Sequence, residues 1–408
     1  MTLVAPRAFD HLSPDLAADL HETLAALRER EPVAWSDEHG GFWVVTGYED
    51  VLRVAQDWRT FSSAEGVNVP APTTPVNAIP EVMDPPRHRE FKRLINAWFT
   101  PKVVARHEDG TRALVTRLID DFVADGRCEF MDAFARPLPG LSFFEQVLHA
   151  PADDVARLND LATAASTPTH PDRAAAWQGM AAWITDLVGA RRAAGGGRDA
   201  GLPDDVVDAV LAAEIEGRPI TDHEILGVIQ LLILGGLETT AGALGQIMIR
   251  FAADPAIPQL LRDRPELIPD AVEELLRLDP PFIAIARVAT CDTELGGRAI
   301  AAGQRVLIYW ASANRDAAEF ACPHTFDLDR DSNRHLSFGA GPHRCAGSNL
   351  ARMNLRIALE ELLGRLHDVR LVDGADIHFH SVLNRSPQAV PITFAPGPRS
   401  ADAPGGSP

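Results

Sequence analysis

Apolar positions recur every three to four residues over 14–30, which predicts an amphipathic helix near the start of the chain. Residues 33–35 and 42–45 read as a hairpin around His39-Gly40-Gly41, and a short helix follows through Val51 and Val54. Between 62 and 83 the periodicity disappears and Pro70, Pro72, Pro75 and Pro80 interrupt the chain; a loop of that length in a compact protein is usually functional or disordered. Helical spacing resumes over 87–96, 101–124 and 141–148. It continues over 152–165 and 172–192, which flank a turn at Pro168-Thr169-His170-Pro171. Segment 193–203, with Gly195-Gly196-Gly197, reads as a flexible connector inside one domain, since helix resumes directly after it. Thr221 followed by Glu224 is a capping box, and it opens a helix of about thirty residues, roughly 45 Å long. Beyond Arg277 the pattern changes to short strands around Val288, 306–309, 369–371, 377–379 and 390–394. The expectation is a mainly α chain with a smaller β region, one domain over 1–395, and a disordered Pro/Gly/Ser-rich tail over 396–408.

Composition narrows the partners. Of 408 residues 46% are hydrophobic, enough for a large core, and 38 basic against 57 acidic residues leave a net charge of −19. That balance argues against nucleic acid or an anionic membrane as general partner, though it leaves room for a local basic patch. Four widely spaced cysteines (Cys128, Cys291, Cys322, Cys345), with no C-x-x-C, read as reduced thiols, hence a cytoplasmic setting. Residues 1–20 contain Asp10, Asp15 and Asp19 and no apolar run, so no signal peptide or anchor is expected. The strongest apolar run, 225–237, is too short to span a bilayer and reads as a core helix.

The chemistry concentrates in Phe338-Gly339-Ala340-Gly341-Pro342-His343-Arg344-Cys345-Ala346-Gly347. One cysteine follows a glycine-rich turn and opens a helix through Leu350, Met353 and Ile357, where the dipole would favour its thiolate. The glycines let backbone pass close to a bulky flat ligand, and a thiolate held against iron favours O–O cleavage. The bland alternative is a buried cysteine beside a tight turn. This pattern, F-G-x-G-x-H-x-C-x-G, resembles the haem-ligand loop of the cytochrome P450 family.

Other segments extend that resemblance along nearly the whole chain. Leu234-Gly235-Gly236-Leu237-Glu238-Thr239-Thr240 places two interior glycines, an acid and an alcohol near the middle of the long helix. Each interior glycine costs about 1 kcal/mol relative to alanine, and a hydroxyl bonding back one turn can open the ladder. A close helix crossing would explain the glycines alone; the segment also resembles the family's oxygen-binding groove, whose acid–alcohol pair relays protons. Glu274-Leu275-Leu276-Arg277 puts opposite charges at i and i+3 on one helix face, by itself as consistent with a surface ion pair. The later Pro323-His324-Thr325-Phe326-Asp327-Leu328-Asp329-Arg330 resembles the family segment whose arginine pairs with that carboxylate.

The resemblance implies the cytochrome P450 fold and a soluble, monomeric haem-thiolate monooxygenase that holds haem b (iron protoporphyrin IX) and inserts one atom of O₂ into a small, largely apolar substrate. Cys345 would be the axial iron ligand, with Phe338, Gly339, His343 and Gly347 around the cofactor. His88, Arg287 and His335 would meet the haem propionates, with Lys92 where the family commonly has arginine. Glu238 and Thr239 would deliver protons, and Glu274, Arg277 and Arg330 would brace the fold. Leu231, Leu234, Gly235, Ile283, Ala284, Ile285, Val382 and Leu383, with the 62–83 loop, would line the substrate pocket. Electrons would come from a ferredoxin and its NAD(P)H-dependent reductase, drawn to Lys92, Arg93, Lys102, Arg106 and Arg344. Rival readings are a haem-thiolate enzyme that uses peroxide or rearranges its substrate, and a haem-based sensor; neither would need the acid–alcohol pair. A zinc site fits worse, since no second ligand pair accompanies His343 and Cys345, and neither a P-loop nor a G-x-G-x-x-G fold is present.

Overall fold

Thr221 starts the longest helix, Asp222–Ala253, by the reciprocal bonding its spacing predicts. Its Oγ1 accepts from the Glu224 N–H at 3.3 Å, while Glu224 Oε2 accepts from the Thr221 N–H at 2.8 Å. Arg218 and Arg87 close on the same carboxylate, and the bond from Arg218 holds it far below the usual carboxylate range. The computed structural model describes residues 6–71, 77–167, 170–194, 205–381 and 383–400. The connector glycines 195–197, the Pro168-Thr169 turn, Val382 and residues 401–408 lie outside them.

The long helix is apolar on most of its circumference, and such a helix must be covered on all sides. Ile225, Val228, Ile229, Ile233, Leu237, Leu244 and Phe251 are all buried in one core with the surrounding helices. At 32 residues it is long and apolar enough to cross a membrane by length and composition, so the 13-residue run considered alone did not settle the point. Burial of 61% of its most apolar stretch inside the protein identifies it as the core helix.

Beside this helical body lies a five-stranded sheet in the order Val33–Ser36, Phe42–Val45, Arg305–Tyr309, Ala284–Ala289, Phe61–Ser62. Its first pair is the expected hairpin, with Val33 opposite Val45. The third strand runs parallel to the second, with Val306 opposite Trp43, and antiparallel to the fourth, with Val306 opposite Arg287. A second sheet joins His367–Leu371, Pro391–Ala395 and Arg127–Glu129, and Phe379–Ser381 pairs with Arg385–Pro387. The architecture is therefore mainly α with a smaller β portion assembled from distant stretches.

Several boundaries differ from expectation. The helix over 14–30 is two helices, Pro14–Ala18 and Leu20–Arg30, because Asp19 leaves helical geometry at φ −109°, ψ 30°. The helix over 101–124 is interrupted by a tight turn at Ala105–His107 before continuing as Glu108–Asp120. The strand expected at 377–379 begins only at Phe379. The start of the tail is also ordered: Gly397 N–H bonds the Val123 carbonyl at 3.0 Å, and Ser400 N–H bonds Asp120 Oδ1 at 2.8 Å. Residues 396–400 are thus tied to the helical body, because their backbone donors find acceptors there.

Candidate active site

The Cys345 loop is built by backbone bonds that need glycine. Gly339 and Gly341 both sit at φ +67°, a region that favours glycine. A Cβ on Gly341 would lie 2.5 Å from the Ala55 carbonyl oxygen, so the loop can only pass the helix Tyr48–Gln56 there as glycine. The Gly339 N–H bonds the Leu336 carbonyl at 2.8 Å, and the Cys345 N–H bonds the Phe338 carbonyl at 2.7 Å. The following helix begins at Ser348 after Gly347, so Cys345 stands ahead of it rather than on its first turn. The dipole argument is correspondingly weak, and burial pushes the thiol up against the pull of the Lys92 ammonium and the Gly347 N–H. Even so, Cys345 keeps exposed surface while protein surrounds it, and nothing would obstruct a Cβ on Gly347.

A second accessible patch lies in the middle of the long helix. Leu231, Leu234, Gly235, Glu238 and Thr239 retain accessible surface, while Leu232, Ile233, Leu237 and Thr240 between them are buried. Their spacing of three and four residues puts them on one face. Thr239 Oγ1 donates to the Gly235 carbonyl at 2.9 Å, competing with the helix ladder at that turn. Gly236 has the ordinary explanation, because Phe143 packs against it, whereas a Cβ on Gly235 would meet nothing within 4 Å.

Cations gather around the loop with little to neutralise them. Arg287 is 3% exposed, and its described hydrogen bond runs from Nη1 to the Ala286 carbonyl at 2.8 Å. Burial lowers its guanidinium to about 10, with Glu81 and Asp84 acting the other way from a distance. Among the described residues no carboxylate forms an ion pair with it, and a buried charge without a counter-ion is costly. His88 is 1% exposed, its Nδ1 has no partner among the described residues, and its ring lies 4.3 Å from that of His343. Burial lowers both imidazoles, to about 4 for His88 and about 2 for His343. His343 Nε2 also lies 3.3 Å from Ser63 Oγ. An unpaired buried guanidinium, an orphaned imidazole nitrogen and an accessible thiol are the donors that an anionic, iron-centred flat cofactor requires. Haem b with its two propionates fits this set.

Not every expected contact points there. Lys92 Nζ donates to the Arg344 carbonyl at 2.6 Å, so it braces the cysteine loop. His335 is removed from the propionate set altogether. Its Nε2 lies 3.1 Å from Glu273 Oε2, and its Nδ1 accepts from the Ser337 N–H at 3.2 Å, which uses both ring nitrogens. Arg352 completes that cluster, bonding Glu273 at 2.7 and 2.6 Å and covering the Phe338 ring at 4.3 Å. Arg352 and His335 together hold the Glu273 carboxyl at about 2, against the upward push of burial. Ile283 and Ala284, at 1% and 0% exposed, belong to the core beneath the sheet with Phe9, Leu20 and Tyr309, and offer no surface to a ligand. Ile285 is 5% exposed, and Leu383 is partly buried beside them.

Glu274, Arg277 and Arg330 do meet. Arg277, fully buried, donates twice to Glu274 at 2.8 Å, and Arg330 Nε reaches the same carboxylate at 3.1 Å. Two contacts escaped the sequence reading. Asn384 Nδ2 donates to Glu238 Oε2 at 2.8 Å, and Asp84 fixes the loop start through Ser62 Oγ at 2.5 Å and the Ser63 N–H at 3.0 Å. A polar residue beside Val382-Leu383 was the visible signal for Asn384; Asp84 stood inside a motif read only for His88.

Comparison with known proteins gives a consistent answer. The cytochrome P450 family model matches residues 144–379. Nocardicin C N-oxygenase of Nocardia uniformis is 35% identical over 408 residues, covering 97% of this chain and all of that one. Steroid C26-monooxygenase of Mycobacterium tuberculosis is 33% identical over 382 residues, covering 91% and 99%. The structure of a cytochrome P450 from Chondromyces apiculatus superposes with a TM-score of 0.83 at 29% identity, covering 97% and 100%.

Proposed function

The chain belongs to the cytochrome P450 family and is a haem b monooxygenase; from that premise we propose that it oxygenates a small, largely apolar organic molecule with electrons from a ferredoxin. The observation that carries the substrate class is the accessible face of the long helix, where Leu231, Leu234 and Gly235 offer aliphatic and backbone surface beside one acid and one alcohol. A screen for compounds that shift the haem absorption band tests it: apolar molecules should dominate the hits, and a hit list of polyanions would overturn the reading.

Cys345 would hold haem b through its thiolate, and the cofactor would supply the binding and reductive cleavage of O₂. Arg287 and His88 would neutralise its propionates, the guanidinium by charge and the imidazole by an N–H. Thr239 donates its hydroxyl hydrogen bond to the Gly235 carbonyl, so its oxygen lone pairs are left to accept a hydrogen bond from another group. Glu238, one residue away on the same face, would take protons from solvent and pass them on. Thr239→Ala should therefore keep haem and substrate binding but divert reducing equivalents to hydrogen peroxide. Glu238→Gln should slow turnover by about 10²-fold, since an amide cannot relay a proton. The measurement is product and peroxide formed per NAD(P)H; an unchanged product yield in Thr239→Ala would remove the hydroxyl from the path.

Electron entry is expected on the cysteine side. Lys92 reaches the Arg344 backbone, and a concavity of about 610 Å³ lined by His88, Arg89, Lys92, Arg93, Asn96 and Pro342 among others carries no acidic residue. Arg93, Lys102, Arg106 and Arg344 are exposed close by in sequence. The net charge of −19 repels an acidic ferredoxin at long range, so this patch acts at short range, on orientation and association rate. Reduction followed by stopped flow should slow about tenfold from low to high salt. It should slow again in Arg344→Glu and Arg93→Glu, with substrate binding unaltered. Salt-independent reduction would mean that the donor docks by apolar contact.

A further inference from the structure

Glu238 belongs to a helix that elsewhere is tied to the hairpin Phe379–Ser381 and Arg385–Pro387. Gln246 and Arg385 bond reciprocally, Arg385 Nη1 to Gln246 Oε1 and Gln246 Nε2 to the Arg385 carbonyl, both at 3.1 Å. Close approach requires the helix glycines: a Cβ on Gly245 would lie 2.6 Å from Pro387 Cγ, and one on Gly242 would lie 3.3 Å from the Arg385 carbonyl oxygen. On its other side the hairpin is fixed to the segment that leads into the sheet. The Ile283 N–H bonds the Leu383 carbonyl, the Arg385 N–H bonds the Pro281 carbonyl, each at 2.7 Å, and Asn384 forms a β-bridge with Phe282. The backbone of Asn384 is therefore held from both sides.

Its side chain is not used for that purpose. Asn384 Nδ2 donates to Glu238 Oε2 at 2.8 Å, across 146 residues of sequence, while Oδ1 is buried with no partner among the described residues. An asparagine that merely capped the turn would spend its oxygen on a nearby N–H. A flipped amide would set Oδ1 against the carboxylate and orphan the donor, so the orientation is dictated by Glu238. A hydrogen bond to a charged acceptor is about twice as strong as a neutral one, which offsets the burial of an unpaired oxygen.

We propose that Asn384 is a positioning residue for the proton relay: it holds the Glu238 carboxylate from a hairpin that is itself fixed to the Pro281-Phe282-Ile283 segment leading into the sheet. The inference rests on the reading of Glu238 as proton carrier. Each proton Glu238 delivers is regained from solvent, so Asn384 changes how fast the carboxylate adopts its working geometry and leaves the overall reaction intact.

The test uses the haem-loaded protein with NADPH, a plant-type ferredoxin and its reductase, following O₂ consumption and peroxide in H₂O and D₂O. Asn384→Ala should slow O₂ turnover about tenfold, the loss of one charge-assisted bond, and raise the solvent isotope effect. The ferrous–CO spectrum should stay unchanged. Asn384→Leu, which keeps the volume without the donor, should behave alike and guards against a collapsed hairpin. In a Glu238→Gln background neither change should slow turnover further. Full activity in both single variants, or an added loss in the Glu238→Gln background, would overturn the positioning role. A fully active Glu238→Gln protein would instead remove the relay reading on which it stands.

Discussion

Cys345→Ser should abolish the red-shifted ferrous–CO band and reduce oxygenation to background, while serine at Cys128, Cys291 or Cys322 should leave both intact. The contrast follows from where the thiols sit. Cys128 lies in a strand edge where burial pushes its thiol up to about 12, so it is a poor source of thiolate. Cys291 is exposed between the strands Ala284–Ala289 and Thr293–Leu295, and Cys322 is exposed as well, neither within the glycine-rich stretch 338–347. Burial raises the Cys345 thiol as well, against the pull of the Lys92 ammonium, so what sets Cys345 apart is the glycine-built turn closed by its own N–H on the Phe338 carbonyl. A serine there keeps the loop bond, since the backbone donor remains, but replaces a soft, electron-rich sulfur by a hard oxygen that donates less to iron. The expected protein is folded, with altered haem ligation. A normal band in Cys345→Ser would place the ligand elsewhere and undo the assignment.

What the sequence made legible was local. The capping box at Thr221 and the i, i+3 pairing of Glu274 with Arg277 each depend on residues within one turn, and each has the geometry its spacing implies; the cysteine turn is local too, but the helix after it begins at Ser348, so Cys345 does not open it. The sheet was less legible, because its strands come from 33–45, 61–62, 284–289 and 305–309, and the parallel pairing of Val306 with Trp43 leaves no local trace. Even a local signal was lost where strands are short. Leu295-Gly296-Gly297-Arg298 closes a hairpin of three-residue strands, both glycines at positive φ, too brief for periodicity to register. Side-chain roles failed for a different reason. Glu273 and Glu274 are neighbours, yet a step of one residue turns them to different faces, one toward His335 and Arg352, the other toward Arg277 and Arg330. The family resemblance ranked His335 with His88; the count of occupied ring nitrogens separates them. Arg287 shows the converse, for its importance lies in the ion pair it does not make.

Arg277→Ala should prevent the protein from accumulating as a folded, haem-loaded species. The side chain is fully buried and Glu274 is 1% exposed, so neither charge can return to water when its partner is removed. Arg277 donates twice to Glu274, and also to the carbonyls of Asn314 at 2.8 Å, Pro323 at 2.7 Å and Thr325 at 3.1 Å. Glu274 in turn accepts from Arg330, from the Asp327 N–H at 3.1 Å and from Asn333 Nδ2 at 3.2 Å. One guanidinium thus ties the helix Ile268–Leu278 to the stretch 314–333 that leads into the cysteine loop. Leaving a buried partner uncompensated costs about 3–5 kcal/mol, a large share of the roughly 5–15 kcal/mol that holds a typical native protein together. Arg277→Lys keeps the charge but has only three donors and no planar fork, so it should fold with a lower denaturant midpoint and a reduced haem-to-protein ratio. The control is Arg264→Ala, which breaks an exposed pair with Glu266 and should leave the denaturant midpoint essentially unchanged. Haem content and the guanidinium midpoint, measured side by side, decide the matter. A wild-type midpoint in Arg277→Ala would show that the loop is held by its own backbone bonds and by the Glu273–Arg352 pair, with the buried network dispensable.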